Sequence, residues 1–312
     1  NVVVKLIIEL FLNLLNLKSM PRKGDKGEEV KMIQEELGLK VDGHYGSKTE
    51  EAVKEFQEEN GLVADGIAGE KTMEVMFPST DLQESVSWIE PYLLMQDEYC
   101  AGPTSKEYIF IHHTAGWNNP YKVIDHWERD TRGRIATQYV IGGPHPKTKD
   151  AKYDGIVLKC FEDKNWAYHL GKNGSSHMHS HSVGIEVCNF GPLTKDGDKY
   201  YTWANTEVHP DNVCDLGKKW RGYQYWHNYS DEQIASLERL IKHIANEHNI
   251  NLNLGLKESL LNEEPFSAFG FKDDAFYGKI KGVLSHSNTR KDKTDMYPHP
   301  LLVEMLKNLE ND

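Results

Sequence analysis

Apolar residues recur every three or four positions in the first part of the chain. Residues 30–37 and 49–57 both follow this spacing, which is typical of short amphipathic helices. The segment 42–49 recurs as 65–72, 23 positions later, and each copy begins with an Asp-Gly turn that leads into a helix start. The pattern predicts a compact three-helix domain over residues 21–78.

Short continuous apolar runs replace the helical spacing further along. Residues 108–112, 137–141 and Ser182–Val187 are rich in β-branched and aromatic side chains, and such runs suit buried strands. Helical apolar spacing returns at Asp231–His248. The alternation predicts an α/β domain over residues 105–312, with a central mixed β-sheet flanked by helices.

Two further segments lie outside these domains. Residues 1–20 are strongly apolar, but Lys5 and Glu9 interrupt them, and a membrane span needs about 20 apolar residues. We expect a helix that packs on its own protein or on a neighbouring chain, with membrane association as the alternative. A secretory signal is not clear here, so we expect synthesis in the cytoplasm. Residues 79–104 are predicted to be a linker.

Composition and charge narrow the classes of function. The formal net charge of -12 argues against a nucleic-acid partner, because such binding relies on Lys and Arg that neutralise phosphates. A content of 38% hydrophobic and 27% charged residues is ordinary for a soluble globular protein. The four cysteines are widely spaced, and we expect reduced thiols.

Candidate chemistry concentrates in two segments. His286 begins a polar segment that also contains Lys293 and Asp295, and His112 and His113 end a predicted strand. Two imidazoles, a carboxylate and a cation are the ingredients of a three-ligand catalytic zinc site with a partner for an oxyanion. Because neighbouring strand residues point to opposite faces, only one of the two adjacent histidines can face the site, and His112 is preferred.

Three motifs resemble the signature segments of type-2 zinc N-acetylmuramoyl-L-alanine amidases. They are Ile-Phe-Ile-His-His-Thr-Ala-Gly, Ser-Val-Gly-Ile-Glu-Val-Cys-Asn and His-Ser-Asn-Thr-Arg-Lys-Asp-Lys-Thr-Asp, and they occur in the family's order between Tyr108 and Asp295. The resemblance implies hydrolysis of the amide bond between N-acetylmuramic acid and L-alanine in bacterial peptidoglycan.

The helical domain carries a second resemblance. Its opening residues Gly24, Gly27, Val30 and Gln34, together with the doubled Asp-Gly motif, are similar to the peptidoglycan-binding domain found beside many cell-wall hydrolases. This resemblance implies that the domain holds the protein to glycan or stem peptide. Asp-Gly turns between helices also occur without any ligand, which is the alternative for this segment.

The amidase resemblance also implies a ligand set. By position, His112, His286 and Asp295 would hold one Zn²⁺ ion. The segment from His286 to Lys293 is one residue shorter than in some members of the family. Asp292 or His299 could therefore replace Asp295 as the third ligand.

The resemblance implies roles for two further charged residues. Glu186 matches the glutamate that some members use as the general base, and Lys293 matches the lysine that stabilises the oxyanion. One branch of the family uses a tyrosine where this chain has Thr137, and this difference favours Glu186. Without the resemblance, either charged residue could be an ordinary structural or surface group.

Substrate contacts are predicted for His113, Trp166 and His169, which precede or adjoin the motif strands. An aromatic-rich insertion over residues 195–229 could stack on sugars or fill the core, and both interpretations stay open.

We therefore expect a phage endolysin or a related cell-wall lytic enzyme. The alternatives are a recognition protein that binds peptidoglycan without cutting it, and a zinc peptidase that acts within the stem peptide. Non-catalytic relatives lose a zinc ligand, whereas all three candidates are present here, so an enzyme is favoured.

Overall fold

The computed structural model describes residues 21–77, 88–102, 104–172 and 175–311. Contacts within the chain divide it into two compact units, Asn1–Val86 and Ser87–Asp312. The helix predicted for residues 1–20 and positions 79–87 of the predicted linker lie outside the described residues. Within the described ranges, every helix is too short or too polar to cross a membrane.

The described part of the first unit is helical, as predicted. Its helices are α1 (Glu28–Glu36), α2 (Ser47–Glu59) and α3 (Glu70–Met76). The apolar residues predicted from the periodicity meet in one core, which includes Val30, Ile33, Val53 and Met76. This core is small, so the polar contacts of the connecting turns matter for its stability.

Those turns are organised by two glutamines that are also 23 positions apart. The Gln34 side chain donates to Asp42 Oδ1 at 2.9 Å and accepts from the amide of the glycine that follows at 2.8 Å. Gln57 repeats the arrangement, with Asp65 Oδ1 at 3.0 Å and the Gly66 amide at 2.8 Å. Each buried amide therefore fastens one Asp-Gly turn to the preceding helix, and the sequence repeat is a repeat of this hydrogen-bond network.

The second unit is built on a six-stranded sheet. Its strands are β1 (Ile89–Pro91), β2 (Tyr108–His113), β3 (Tyr139–Ile141), β4 (Val157–Lys159), β5 (Ser182–Val187) and β11 (Gly282–Ser285). Their order is β1-β4-β3-β5-β2-β11, and among these neighbours only β3 and β4 are antiparallel. The prediction of a central mixed sheet is confirmed. Strand β1 lies in the segment that was predicted to be a linker.

The remaining strands of the described residues form two small sheets, and in the sequence they lie between β5 and Asp231. They are β6 (Thr194–Asp196), β7 (Lys199–Tyr201), β8 (Glu207–Val208), β9 (Val213–Trp220) and β10 (Tyr223–His227). The helices of this unit are α4 (Pro120–Trp127), α5 (Ser176–Ser180), α6 (Asp231–His248), α7 (Leu256–Asn262), α8 (Pro265–Ala268), α9 (Asp273–Phe276), α10 (His286–Thr289) and α11 (Pro300–Asn308).

The two faces of the sheet have different partners. Ile109 and Ile111 of β2 join the large core that also contains Leu237 and Leu240 of α6. Phe110, between them, belongs to a separate cluster on the other face. Because side chains alternate along a strand, one face of β2 packs into the large core, and His112 lies on the other face with Phe110.

Helix α6 is tied directly to the end of β5. Ser230 Oγ accepts from the Gln233 amide at 3.0 Å, which forms half of a capping box. The Gln233 side chain then donates to the Cys188 carbonyl at 2.8 Å, one residue beyond β5. This contact holds the carboxyl end of the central strand against the helix start.

The aromatic insertion divides into buried and exposed members. Trp226 and Tyr229 are buried, and both stack on Tyr297, with ring centroids 4.6 and 5.1 Å apart. Trp203 is instead 71% exposed. Core filling, one of the two interpretations of this segment, therefore accounts for only some of its aromatic residues.

We predict that Gln57→Ala destabilises the helical unit by about 2–4 kcal/mol, because it leaves the Gly66 amide and the Asp65 turn without their buried partner. Thermal unfolding of the full chain, followed by circular dichroism, measures the effect. Glu55→Ala on the exposed face of α2 is the control and should stay within about 0.5 kcal/mol of the parent chain. Equal stability of the two variants would contradict the proposed importance of the network.

Candidate metal centre and active site

The candidate site lies at the carboxyl ends of three parallel strands of the central sheet. Strands β2, β5 and β11 are parallel, so their carboxyl ends lie together. His112 is directly opposite Glu186 in the pairing of β2 with β5, and His286 follows the last residue of β11. The pairing register therefore brings these three residues to the same place.

Asp295 joins the two imidazoles. Its Oδ2 atom lies 3.2 Å from His112 Nδ1 and 2.9 Å from His286 Nδ1, and all three residues are buried. Tetrahedral zinc with bonds of about 2.0–2.1 Å places neighbouring ligand atoms about 3.3 Å apart. The separations in the structure fit that geometry, so His112, His286 and Asp295 could hold a metal ion.

The loop after α10 is fastened where it delivers Asp295. The Ser287 amide donates to the Asp295 carbonyl at 2.9 Å. Arg221, from the turn between β9 and β10, donates to the Ser287 carbonyl at 3.0 Å and to the Lys291 carbonyl. These bonds close the short loop.

The two alternative third ligands have other partners. The Asp292 carboxylate accepts from the Arg290 guanidinium at 2.6 Å and is exposed. His299 Nε2 lies 2.6 Å from Asn228 Oδ1, away from the cluster. The loop, although short, brings Asp295 to the two histidines rather than either alternative.

The outer ring nitrogens of both histidines also have partners. His286 Nε2 lies 3.2 Å from the Leu170 carbonyl, which can only accept. This contact requires a proton on Nε2 and leaves Nδ1 available as a ligand. His112 Nε2 lies 3.0 Å from His169 Nδ1, and His169 Nε2 lies 2.7 Å from Ser182 Oγ. If His169 Nε2 donates to Ser182 Oγ, then His169 Nδ1 accepts a hydrogen bond from His112 Nε2. His112 Nδ1 then carries no proton and is also available as a ligand.

A glycine makes room for His169. A Cβ atom at Gly184 would lie 3.1 Å from His169 Nδ1 and 2.9 Å from Thr137 Cγ2. The bare backbone of β5 thus lets the imidazole approach the strand between Ser182 and Glu186.

Burial and mutual contacts set the charges of the cluster. Burial lowers the pKa of His112 to about 4, and burial likewise holds the pKa of His169 well below its usual range. Burial opposes ionisation of Asp295, but the neighbouring His286 and the close contacts with both histidines outweigh it and hold its pKa well below the usual range. A neutral His112 and an ionised Asp295 are the protonation states that metal ligation needs.

Glu186 is half-buried on the face of the sheet that carries His112. Burial raises the pKa of its carboxyl group well above the usual range, and the nearby Asp295 raises it further, while Lys293 opposes the shift. Lys293 is half-buried in the loop that delivers Asp295. A carboxyl group and an ammonium group thus lie close enough to the metal-ligand cluster to interact electrostatically.

The predicted substrate residues lie in different surroundings. His169 joins the cluster through His112, and the half-buried Trp166 packs edge-on against Tyr168 at 5.2 Å. His113 is only 4% exposed, and its Nδ1 atom lies 2.9 Å from the Tyr229 hydroxyl on the core face of β2. That position favours a structural role over the predicted contact with substrate.

A second group of potential ligands, Asp163, Glu247 and His248, is less suited to a metal. Asp163 already accepts from the Tyr139 hydroxyl at 2.7 Å and from Lys159 at 2.5 Å. The lysine balances the charge of the Asp163 carboxylate. This carboxylate is therefore already stabilised by an ion pair and a hydrogen bond, without a metal ion.

Family models match both units of the chain. The model described as N-acetylmuramoyl-L-alanine amidase matches residues 102–298, which is more than half of the chain. The chain belongs to the N-acetylmuramoyl-L-alanine amidase family. A model of a peptidoglycan binding domain matches residues 26–76. The two matches confirm both resemblances predicted from the motifs.

Several solved structures are similar to parts of this amidase-family chain. The Burkholderia AP3 phage endolysin is 43% identical over 19% of this chain and 25% of its own, with a TM-score of 0.19. PlyL is 11% identical over 72% of this chain and 97% of its own, with a TM-score of 0.39. The amidase AmiD from E. coli is 18% identical over 48% of this chain and 47% of its own, with a TM-score of 0.31.

This amidase-family chain thus spans about a quarter of the length of the AP3 endolysin. The TM-scores are too low to support a comparison of whole folds. No curated protein sequence matches the chain significantly.

The sequence motifs did not indicate how the candidate site is supported. Arg221 lies in the insertion, far along the chain from the loop that it fastens, and Ser182 has an unremarkable place at a strand start. Only the position of Ser182, four residues before Glu186 on the same strand face, could have indicated that it points towards the site.

We predict that His169→Ala lowers the affinity of the candidate site for a divalent metal ion about 10- to 100-fold, because His112 loses the partner that orients its ring. Competition with a chromogenic chelator measures the affinity without any substrate. His177→Ala removes a half-exposed histidine that contacts Glu107 instead, and it should leave the affinity unchanged. An unchanged affinity in His169→Ala would show that His112 needs no such support.

Proposed function

We propose that the chain hydrolyses the amide bond between N-acetylmuramic acid and L-alanine in peptidoglycan and uses one Zn²⁺ ion to do so. The observation that carries this proposal is the buried cluster of His112, His286 and Asp295 within the region matched by the amidase family. Two imidazoles and a carboxylate are a usual donor set for catalytic zinc, which keeps a fourth position open.

Zinc bound by these residues would supply Lewis-acid chemistry, acidifying a water molecule and polarising the scissile carbonyl. Glu186 lies across from His112 and acts as the general base, taking a proton from the attacking water and returning it to the leaving amine. The raised pKa of its carboxyl group suits this exchange, because a higher pKa makes the carboxylate a stronger proton acceptor.

Lys293 stabilises the negative charge that develops on the carbonyl oxygen. Lys293 lies in the loop that delivers Asp295, and its positive charge acts to lower the pKa of Glu186. A fixed cation in a half-buried site is worth more than one in open water, because screening by solvent is weaker there.

The helical domain, which we place at residues 21–78, holds the enzyme to its polymeric substrate. Tethering raises the effective concentration of the catalytic domain, placed at residues 105–312, at the cell wall. The enzyme thus acts on bacterial cell wall, as a phage endolysin or a related lytic enzyme.

The products of wall digestion test the proposed reaction. We expect purified peptidoglycan treated with the full chain to yield new L-alanine amino termini and glycan strands with free lactyl carboxyl groups. Mass spectrometry of the soluble fragments identifies both ends. New amino termini at any other residue would show a peptidase, and an absence of new termini would show a binding protein.

The His286→Ala variant is the matched control for this digestion. It removes one ligand of the cluster and should lose both the bound zinc, expected at about one ion per chain, and the release of L-alanine termini. Metal analysis of the dialysed protein measures the first effect independently of activity. Full activity without zinc would contradict the proposed site.

We predict that Glu186→Gln lowers kcat about 10²- to 10⁴-fold while zinc content stays at the parent level. The amide has nearly the same shape as the carboxyl group but cannot accept the proton. Initial rates on soluble muramyl peptide measure kcat, and metal analysis separates loss of the base from loss of the ion. A variant with parental kcat would exclude Glu186 as the base.

A further inference from the structure

Trp203 is presented by a rigid turn between β7 and β8. The Thr202 amide donates to the Thr206 carbonyl at 2.9 Å, and the Thr206 amide donates to Thr202 Oγ1 at 3.1 Å. Asn205 takes the left-handed conformation with φ 60°, which its short polar side chain tolerates, and its amide donates to the Thr202 carbonyl. The turn therefore has a fixed shape of its own.

The indole is also held in place, although most of it is open to solvent. Its Nε1–H group donates to the Ala115 carbonyl, which fixes the ring orientation. Even so, Trp203 is 71% exposed and is the most exposed of the large aromatic residues in the described ranges. Leaving so much apolar surface in water is costly, and Trp220 and Trp226 of the same insertion are buried instead.

The acceptor of this bond belongs to the rim of the active site. Ala115 lies three residues beyond His112, in a turn that follows β2. Thr114 Oγ1 and the Gly116 amide both donate to the Asn189 carbonyl at 3.2 Å. Asn189 lies three residues beyond Glu186. The turn is thus fixed to the ends of the two strands that carry the candidate ligand and the candidate base.

We propose that Trp203 is a stacking platform for a saccharide ring of the glycan strand beside the amidase site. This inference rests on the proposed function and adds a glycan subsite to it. The scissile amide branches from a sugar, so neighbouring sugars of the strand must pass along the rim of the site. Because the indole is held in place before binding, stacking a sugar on it costs little side-chain entropy.

The surroundings of Trp203 fit a sugar better than an apolar peptide or a lipid. Two of its neighbours in the turn, Asn205 and Thr206, are polar, so polar groups lie beside the exposed indole. A pyranose has C–H groups on its faces and hydroxyl groups around its edge, which complements that arrangement.

Kinetics on two substrates that differ in glycan length test the platform. With peptide-bearing glycan strands, we expect Trp203→Ala to raise KM about 3- to 10-fold with little change in kcat, the range expected for one aromatic stack. With a muramyl peptide that carries a single sugar, the variant should match the parent. Trp203→Phe keeps an aromatic face, so its KM on the glycan strands should be close to that of the parent.

Tyr277→Ala is the matched control for an exposed aromatic residue. Tyr277 is 58% exposed and precedes Gly278, whose carbonyl accepts from Tyr108 at the opposite end of β2. This variant should behave as the parent on both substrates. An equal increase in KM for Trp203→Ala on both substrates, or no increase on either, would overturn the inference.

Binding of peptide-free glycan strands to the full chain separates this inference from the proposed function. Calorimetry should show weaker binding by Trp203→Ala than by the parent chain and Tyr277→Ala, and equal binding would overturn the platform. If the parent chain binds glycan through Trp203 but releases no L-alanine termini, the proposed reaction fails while the platform stands.

Discussion

The rest of the site depends on how the buried Asp295 carboxylate is stabilised. An ionised group away from water is costly unless hydrogen bonds or opposite charges compensate. Here one carboxylate oxygen lies within 3.2 Å of a ring nitrogen of both His112 and His286, and a metal ion held by these atoms would supply the opposite charge. The loop that carries Asp295 must therefore hold its position closely, and Arg221 fastens that loop from another part of the chain.

The register of the parallel strands imposes a second constraint. His112 and Glu186 lie opposite each other only in the observed pairing of β2 with β5. A slip by one residue would turn His113 towards the site and move the isoleucines of β2 out of the core. Packing against α6 resists such a slip, because Ile109 and Ile111 are completely buried. The energy of the hydrophobic core thus also sets the geometry of the site.

Much of this arrangement could be predicted from local patterns. The apolar runs indicated β2 and β5, alternation favoured His112 over His113, and the spacing of the last motif placed Asp295 near His286. The support for these residues could not be predicted in the same way. His169 is 57 positions from His112, and the hydrogen bond between them depends on the bare backbone at Gly184. Local periodicity contains no information about contacts between residues so far apart in the sequence.

The sequence by itself determined the helical and α/β units, the family and the candidate ligands, because periodicity and motif spacing are properties of short segments. Only the tertiary structure decided which aromatic residues of the insertion fill the core and which are exposed. Trp226 and Trp203 have similar chemistry, and they differ only in what packs against them. Burial results from the sum of contacts across the whole fold, so it follows from the assembled sheet and helices rather than from residue type.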